Sequence, residues 1–296
     1  MTARPGMISL PRDRVLGLDS GPVVMGIVNV TPDSFYPLSR RRGAVEAAEA
    51  ALAMEAEGAA IVDLGGESTR PGSSYVGEAE ELERIVPAVR AIRSRSDLPI
   101  SVDTRKASVA AAAIEAGADM INDVSALRHD PAMAALAAEK GVALLLMHMK
   151  GEPRTMQEAP SYADCAAEVR DFLAESAARA IAAGVEPGRI LIDPGIGFGK
   201  RLEDNLAILS ALGAIVGLGF PVAVGISRKA FLGALVGKPV EGRLPASLGA
   251  ACAALLGGAA VFRVHDVGAT ADALGVFAAI LGLAGRGSIP AGRNPA

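Results

Sequence analysis

Along the chain, short unbroken apolar runs alternate with longer alanine-rich stretches in which polar residues return at helical intervals. Eight runs stand out: Val23–Val30, Ala59–Leu64, Pro99–Asp103, Met120–Val124, Val142–Met147, Ile190–Asp193, Pro221–Ile226 and Ala260–His265. None alternates polar with apolar residues, which predicts strands covered on both faces. The stretches between them predict helices. In Ala44–Glu57, Val45, Ala48, Leu52 and Ala56 share one face, with Glu46, Glu49 and Glu57 opposite. Asp130-Pro131 predicts an N-cap followed by proline in the first turn. Ser161 with Asp164 predicts a capping box ahead of a long helix. Gly58, Gly117, Gly141, Gly184 and Gly258 each stand just before the next run, where a left-handed residue ends a helix.

Strands alternating with helices imply parallel pairing and right-handed crossovers. About eight repeats favour a closed (β/α)8 TIM barrel over an open sheet. Met7–Leu18 precedes the repeat and predicts a short N-terminal β-hairpin across the barrel bottom. The composition shows no linker, so residues 1–296 read as a single barrel domain whose repeating core runs from about 20 to 285. The tail after Gly285 lies outside it.

Composition narrows the function classes. A net charge of −4 argues against nucleic acid as a partner, and makes Arg40-Arg41-Arg42 a solvated run. No apolar run approaches the roughly 18 residues of a membrane span, and Met1–Pro5 opens no signal-peptide core. The two cysteines, Cys165 and Cys252, lack metal-type spacing and read as packing residues in a reducing compartment. A cytoplasmic protein with no membrane partner is expected.

In such a barrel the reactive residues belong at the carboxyl ends of the strands. Polar residues collect there at every run: Asn29, Asp63, Asp103, Asn122-Asp123, His148, Asp193, Ser227-Arg228-Lys229, and Arg263 with His265. A single aspartate after a strand is as readily a helix cap as a ligand. A whole ring of donors and acceptors is more simply explained by a polar ligand. Asp103, Asn122, Asp193 and Lys229 suit a flat heterocycle rich in ring nitrogens and amines. Arg70, Arg263, His265 and Asn29 form a more cationic set suited to phosphate oxygens.

Other features read more plainly. His129 lies in a polar loop and reads as solvated. His148 reads as a structural hydrogen-bonding residue and not as a ligand. Phe198, within Gly195–Gly199, predicts a mobile, exposed ring. Gly65-Gly66 lacks the spacing of a dinucleotide fingerprint.

These same residues carry a family resemblance. Met25–Phe35 (Met-Gly-Ile-Val-Asn-Val-Thr-Pro-Asp-Ser-Phe) and Gly65–Gly72 (Gly-Gly-Glu-Ser-Thr-Arg-Pro-Gly) resemble the first two signatures of the dihydropteroate synthases. Ser101–Thr104, Ile121–Asp123, Leu146–Met149, Asp193–Lys200, Ser227–Lys229 and Arg263–Val267 match further segments, in family order. The resemblance implies condensation of a dihydropterin methyl diphosphate with 4-aminobenzoate. It implies that Asp103, Asn122, Asp193 and Lys229 hold the pterin, and that Thr69, Arg70, Arg263 and His265 bind the diphosphate. Asp103, Lys229 and Arg263 become the expected catalytic residues, with Asn29 as a contact to Mg2+. Phe198, Pro71, Thr69 and the Asp33–Phe35 loop would wall the 4-aminobenzoate pocket, and a homodimer is expected.

The sequence departs from the family in two places. Tyr36–Gly43 replaces a common Ser-Asp-Gly-Gly continuation, which predicts a stiffer, more basic loop. Ala230 stands where some members place a serine, so an arylamine carboxylate would turn to the N–H groups at the start of the following helix. Two other readings remain open: a pterin-binding methyltransferase-type barrel, which would not need Thr69–Pro71 or Ser227–Lys229, and a paralogue that binds pterin without turnover.

Overall fold

The computed structural model describes residues 6–30, 37–68, 72, 73 and 75–283, with 37–42 described in the backbone only. Parallel strands β3 (Val23–Asn29), β4 (Ile61–Gly65), β5 (Ile100–Asp103), β6 (Met120–Asp123), β7 (Ala143–Met147), β8 (Ile190–Asp193), β9 (Ala223–Val224) and β10 (Val261–Val264) form one eight-stranded sheet. They run in the order β8-β7-β6-β5-β4-β3-β10-β9, and a parallel bridge from Ile192 to Val222 brings the ends together. This is the (β/α)8 barrel. All eight apolar runs became strands. The seventh shrinks to two residues because Pro221 donates no hydrogen bond and Gly225 lies where the chain turns into the site.

Around the barrel lie α1 (Pro37–Ala56), α2 (Glu78–Arg93), α3 (Ala107–Ala116), α4 (Met133–Lys140), α5 (Cys165–Ala182), α6 (Leu202–Ser210), α7 (Leu212–Val216), α8 (Ala230–Val236), α9 (Leu244–Leu256) and α10 (Val267–Ile280). The five predicted helix-ending glycines all have positive φ, from 61° to 118°.

Four local expectations are corrected. Helix α1 begins at Pro37, so most of the expected loop over 36–43 is helical; Tyr36 lies outside the described residues. Its buried stripe is Ala44, Ala47, Ala48 and Ala51, while Val45 is exposed. Small alanines at i, i+3, i+4 and i+7 let α1 lie close to β3 and α2, and Val45 falls off that stripe. The cap of α5 is Asp164, which accepts the Ala167 N–H at 3.1 Å, and not Ser161. Helix α4 starts at Met133; Asp130 instead caps the preceding turn through Ala132 N–H (3.0 Å) and reaches Ala107 N–H (2.9 Å).

The interior is layered. Inward residues alternate along each strand. Val23, Met25, Ile61, Met120, Leu145, Leu191 and Val261 fill the lower layers. The antiparallel hairpin β1 (Met7–Ser9) and β2 (Val15–Gly17) seals the bottom with fully buried Ile8 and with Leu10. Beneath it, Arg12, Arg14 and Arg93 all pair with the buried Asp119 carboxylate. One step further up, charged and amide side chains take the inward positions: Asp63 follows Ile61, Asp103 follows Ser101, Asn122 follows Met120, Asp193 follows Leu191 and Arg263 follows Val261. Strand period and apolar floor thus place the polar ring at the mouth.

Candidate active site

A recess of about 20 Å3 at the mouth is lined by Asp103, Asn122, Asp193, Lys229 and Arg263, with Val124, Met147, Ile196 and Phe198 as apolar walls. It shares Asp103, Phe198, Lys229 and Arg263 with a wider cavity of about 920 Å3, which also takes in Asn29, Glu67, Ser68, Lys200, Arg228 and His265. The described members of the ring-binding and anion-binding sets read from the sequence therefore border one hollow. Thr69, Arg70, Pro71 and Asp33–Phe35 lie outside the described residues.

Arg263 joins the two parts. Its Nε donates to Asp63 Oδ2 at 2.6 Å and its Nη2 to Asp103 Oδ2 at 2.9 Å. Asn122 Nδ2 donates to the same Asp63 oxygen at 3.0 Å. Burial opposes the charge on Arg263, but the carboxylates of Asp63 and Asp103 outweigh it and hold its pKa above the ordinary value. Burial pushes Asp103 up to about 7, against the pull of Arg263 and with further upward pressure from Asp63, Glu81 and Glu67. Burial likewise raises Asp193 to about 6, countered by the Gly195 N–H and by Lys229, Arg263 and Lys200. Gly195 N–H donates to Asp193 Oδ1 at 2.6 Å, fixing this carboxylate in the recess lining.

Phe198 is buried, not exposed as expected. Its ring packs with Val124, Met147, Met149 and Met156, and the Lys229 ammonium lies 4.1 Å from its centre. The glycine loop explains this. A Cβ at Gly195 would stand 1.9 Å from His148 O, and one at Gly199 2.1 Å from Lys150 O, so the loop is pressed against the β7 exit. Lys200 Nζ closes it from inside, reaching Gly195 O (2.9 Å), Phe198 O (3.0 Å) and His148 Nδ1 (2.9 Å). Buried beside that ammonium, His148 has its pKa held down to about 2, and burial pulls Lys200 down to about 7. His148 is structural, as the sequence suggested, and His129 is exposed.

Lys229 and His265 are set by a second ion pair. Arg228, at φ 56°, donates to Asp266 through Nε (2.8 Å) and Nη2 (2.6 Å). This ties the β9 turn to the β10 exit, where His265 Nδ1 lies 3.1 Å from Ser227 Oγ. Sequence reasoning left Asp63, Lys200, Arg228 and Asp266 out of the site. Asp63 was visible as a strand-end carboxylate. Arg228 stands in the strand-end ring as well, while Lys200 and Asp266 make contacts 52 and 38 residues away in sequence.

Comparison with known proteins agrees. The sequence profile of the pterin binding enzyme family matches residues 25–265. The dihydropteroate synthase of Escherichia coli (strain K12) is 45% identical over 262 residues, 88% of this chain and 93% of that protein. A Xanthomonas albilineans dihydropteroate synthase solved with 4-aminobenzoic acid superposes with a TM-score of 0.84 at 46% identity, covering 91% of this chain and 96% of that one. A Burkholderia cenocepacia dihydropteroate synthase complexed with 7,8-dihydropteroate gives a TM-score of 0.84 at 43% identity, covering 95% and 98%. A buried Asp/Asn/Asp recess opening onto a cationic rim, on this barrel and at this identity over nearly the whole length, places the chain in the dihydropteroate synthase family of pterin binding enzymes.

Proposed function

We propose that the chain joins 4-aminobenzoate to (7,8-dihydropterin-6-yl)methyl diphosphate, forming 7,8-dihydropteroate and releasing diphosphate. The observation that carries this reading is the recess itself: Asp103, Asn122, Asp193, Lys229 and Arg263 border one pocket that opens towards Asn29, Arg228 and His265. Two related proteins of known structure hold 4-aminobenzoic acid and 7,8-dihydropteroate.

In the mechanism, Asp193 and Asn122 hold the ring's N–H and carbonyl edge, and Lys229 donates from beside Phe198. The bond from the pterin methylene carbon to the diphosphate oxygen breaks first, and its electron pair leaves with the diphosphate. Positive charge then spreads over the pterin. Buried Asp103, already fixed by Arg263, faces it without having to reorganise. Arg263, His265, Thr69 and Arg70 take the charge of the leaving diphosphate. The arylamine nitrogen then forms the C–N bond with its lone pair and gives up one proton to the solvent. No enzyme nucleophile is needed.

Among the described residues, no group of three or more His, Cys, Asp or Glu side chains is arranged to hold a metal. Asn29, exposed at the end of β3 on the cavity wall, offers one neutral oxygen. This donor set fits a Mg2+ ion that keeps much of its water and rests on diphosphate oxygens. When bound, Mg2+ would act as a Lewis acid on the leaving group.

A homodimer is the proposed assembly. Leu256 at the end of α9 and Val276 and Ile280 on α10 are 65%, 63% and 75% exposed, an outward apolar group that a second copy would cover. Light scattering of Ile280→Asp against the parent chain checks this.

The decisive assay is coupled diphosphate release. Release should require both the pterin diphosphate and 4-aminobenzoate. Binding of the pterin without release would point to a non-catalytic paralogue, and preference for a methylated folate to a methyltransferase.

A further inference from the structure

Two and three residues beyond Asp103, the chain places Arg105 and Lys106, whose side chains are each 5% exposed. They meet two equally hidden carboxylates: Glu67, 7% exposed, and Glu81, fully buried on α2. Arg105 Nη2 donates to Glu67 Oε1 at 3.0 Å. Lys106 Nζ donates to Glu67 Oε2 at 2.8 Å and to Glu81 Oε2 at 2.5 Å. Both oxygens of Glu67, in the segment after β4, are thus held by cations from the β5 exit.

Arg105 has a second branch. Its Nη1 donates to Glu152 Oε2 at 2.9 Å, in the segment after β7. The same two segments meet where Gly72 N–H donates to Pro153 O at 3.2 Å. Glu152 O in turn accepts the Met156 N–H at 2.7 Å. Met156 packs on Phe198, Gln157 Nε2 donates to Gly197 O at 2.7 Å, and both residues line the wide cavity. One guanidinium therefore links Glu67 to the residues that pack on Phe198 and its loop, without itself lining the cavity.

Stability alone is a poor account of this cluster. Four buried charges are costly to desolvate, and apolar side chains of the same volume often serve as well or better. What only arginine provides is a rigid planar fork that meets two carboxylates at once.

We propose that Arg105 is a positioning residue that locks the Glu67 segment to the Glu152 segment and so holds Met156 and Gln157 against Phe198 and its glycine loop, fixing the aromatic wall of the arylamine pocket. This rests on the arylamine assignment above.

The test uses the full chain and the variants Arg105→Gln, Arg105→Lys, Glu152→Ala and the double variant Arg105→Gln with Glu152→Ala. 4-Aminobenzoate is varied at saturating pterin diphosphate, and hydrogen exchange is followed over both segments. KM for 4-aminobenzoate should rise about ten-fold in Arg105→Gln and about three-fold in Glu152→Ala, whose carboxylate pair is partly solvated. In both, kcat should stay within about two-fold, since uniform binding is what is lost. Arg105→Lys should recover part of the loss. The double variant should match Arg105→Gln alone, because the two residues share one link. Unchanged KM in both single variants, or effects that multiply in the double, would overturn the proposal. Exchange separates it from the functional reading: a parent chain without turnover sinks that reading, while exchange still reports the link. Glu152→Ala should speed exchange in the Glu67 segment as well as its own, and an effect confined to its own segment would overturn the link even in an active enzyme. Because the Glu152 side chain is 69% exposed, this variant keeps the test alive if Arg105→Gln fails to fold.

Discussion

Arg263 Nε and Asn122 Nδ2 converge on a single oxygen of Asp63, at 2.6 and 3.0 Å. Asp63 is fully buried and borders neither the recess nor the wider cavity. It nevertheless aims two of the residues that do. Asp63→Asn removes the charge that holds the guanidinium and leaves Arg263 and Asn122 only a weaker, neutral acceptor. Misplacement by about 1 Å at a reacting centre can lower rates about 100-fold. Asp63→Asn is therefore expected to reduce kcat/KM for the pterin diphosphate by about that factor. A variant with parental kinetics would show that Asp63 only fills space.

Asp103 carries a pH signature. Burial raises it from 3.8 to about 7 in the ligand-free site. If its ionised form stabilises the cation, kcat/KM should climb as pH rises towards and through 7 and then level off. Asp103→Asn should abolish that limb and lower kcat on the order of 10²- to 10³-fold, as expected when one charge-stabilising group is lost. Pterin affinity should fall far less. Equal losses in kcat and affinity would contradict a role confined to the transition state.

The barrel was legible because each strand is a short apolar run and helices α1, α3, α4, α5 and α9 end within two residues of a glycine with positive φ, as at Gly117 and Gly258. Those signals are local. Asp103, Asn122, Asp193 and Arg263 were legible for a related reason: strand period carries them to the mouth, and Lys229 follows in the turn after β9. The exposure of Phe198 was misread because glycines on either side suggest mobility. What buries the ring is Lys200, which gathers the loop's carbonyls, and a partner chosen by hydrogen bonding leaves no periodic trace. Arg105 was passed over for the same reason. Its two carboxylates stand 38 and 47 residues away.

At the opposite end of the barrel, Asp119 holds the N-terminal hairpin. It is fully buried, pairs with Arg12, Arg14 and Arg93, and accepts the Ile100 N–H at 3.0 Å. Asp119→Ala leaves three guanidiniums facing one another with no counter-charge. Breaking a buried ion pair from one side costs about 3–5 kcal/mol, and a loss in that range is expected in urea unfolding. Arg12→Ala should lose less than about 1 kcal/mol, since its side chain is 54% exposed and two other guanidiniums remain. Equal losses in the two variants would show that Asp119 is not the centre of the clamp.

His148 and Lys200 predict how the fold responds to acid. In the unfolded chain an imidazole protonates near 6.5, whereas in the fold burial beside Lys200 holds His148 down to about 2. Below pH 6.5 the unfolded state therefore binds a proton that the folded state refuses. Stability should fall by up to about 1.4 kcal/mol for each unit that pH drops from 6.5 towards 2. Asp103 and Asp193 act in the other direction. Raised by burial to about 7 and about 6, they weaken the fold as pH rises from 3.8 through those values. The measured slope is the sum of these effects, so the histidine has to be isolated by difference. His148→Asn keeps an acceptor oxygen for Lys200 but has no titrating ring. It should be less stable than the parent at pH 7, because the edge-on packing of the imidazole against Phe172 at 4.9 Å is lost. Between pH 6.5 and 4 its stability should decline less steeply than the parent's, by up to one proton's worth. Parallel stability curves over that interval would mean that the buried ring is not what makes the glycine loop sensitive to acid.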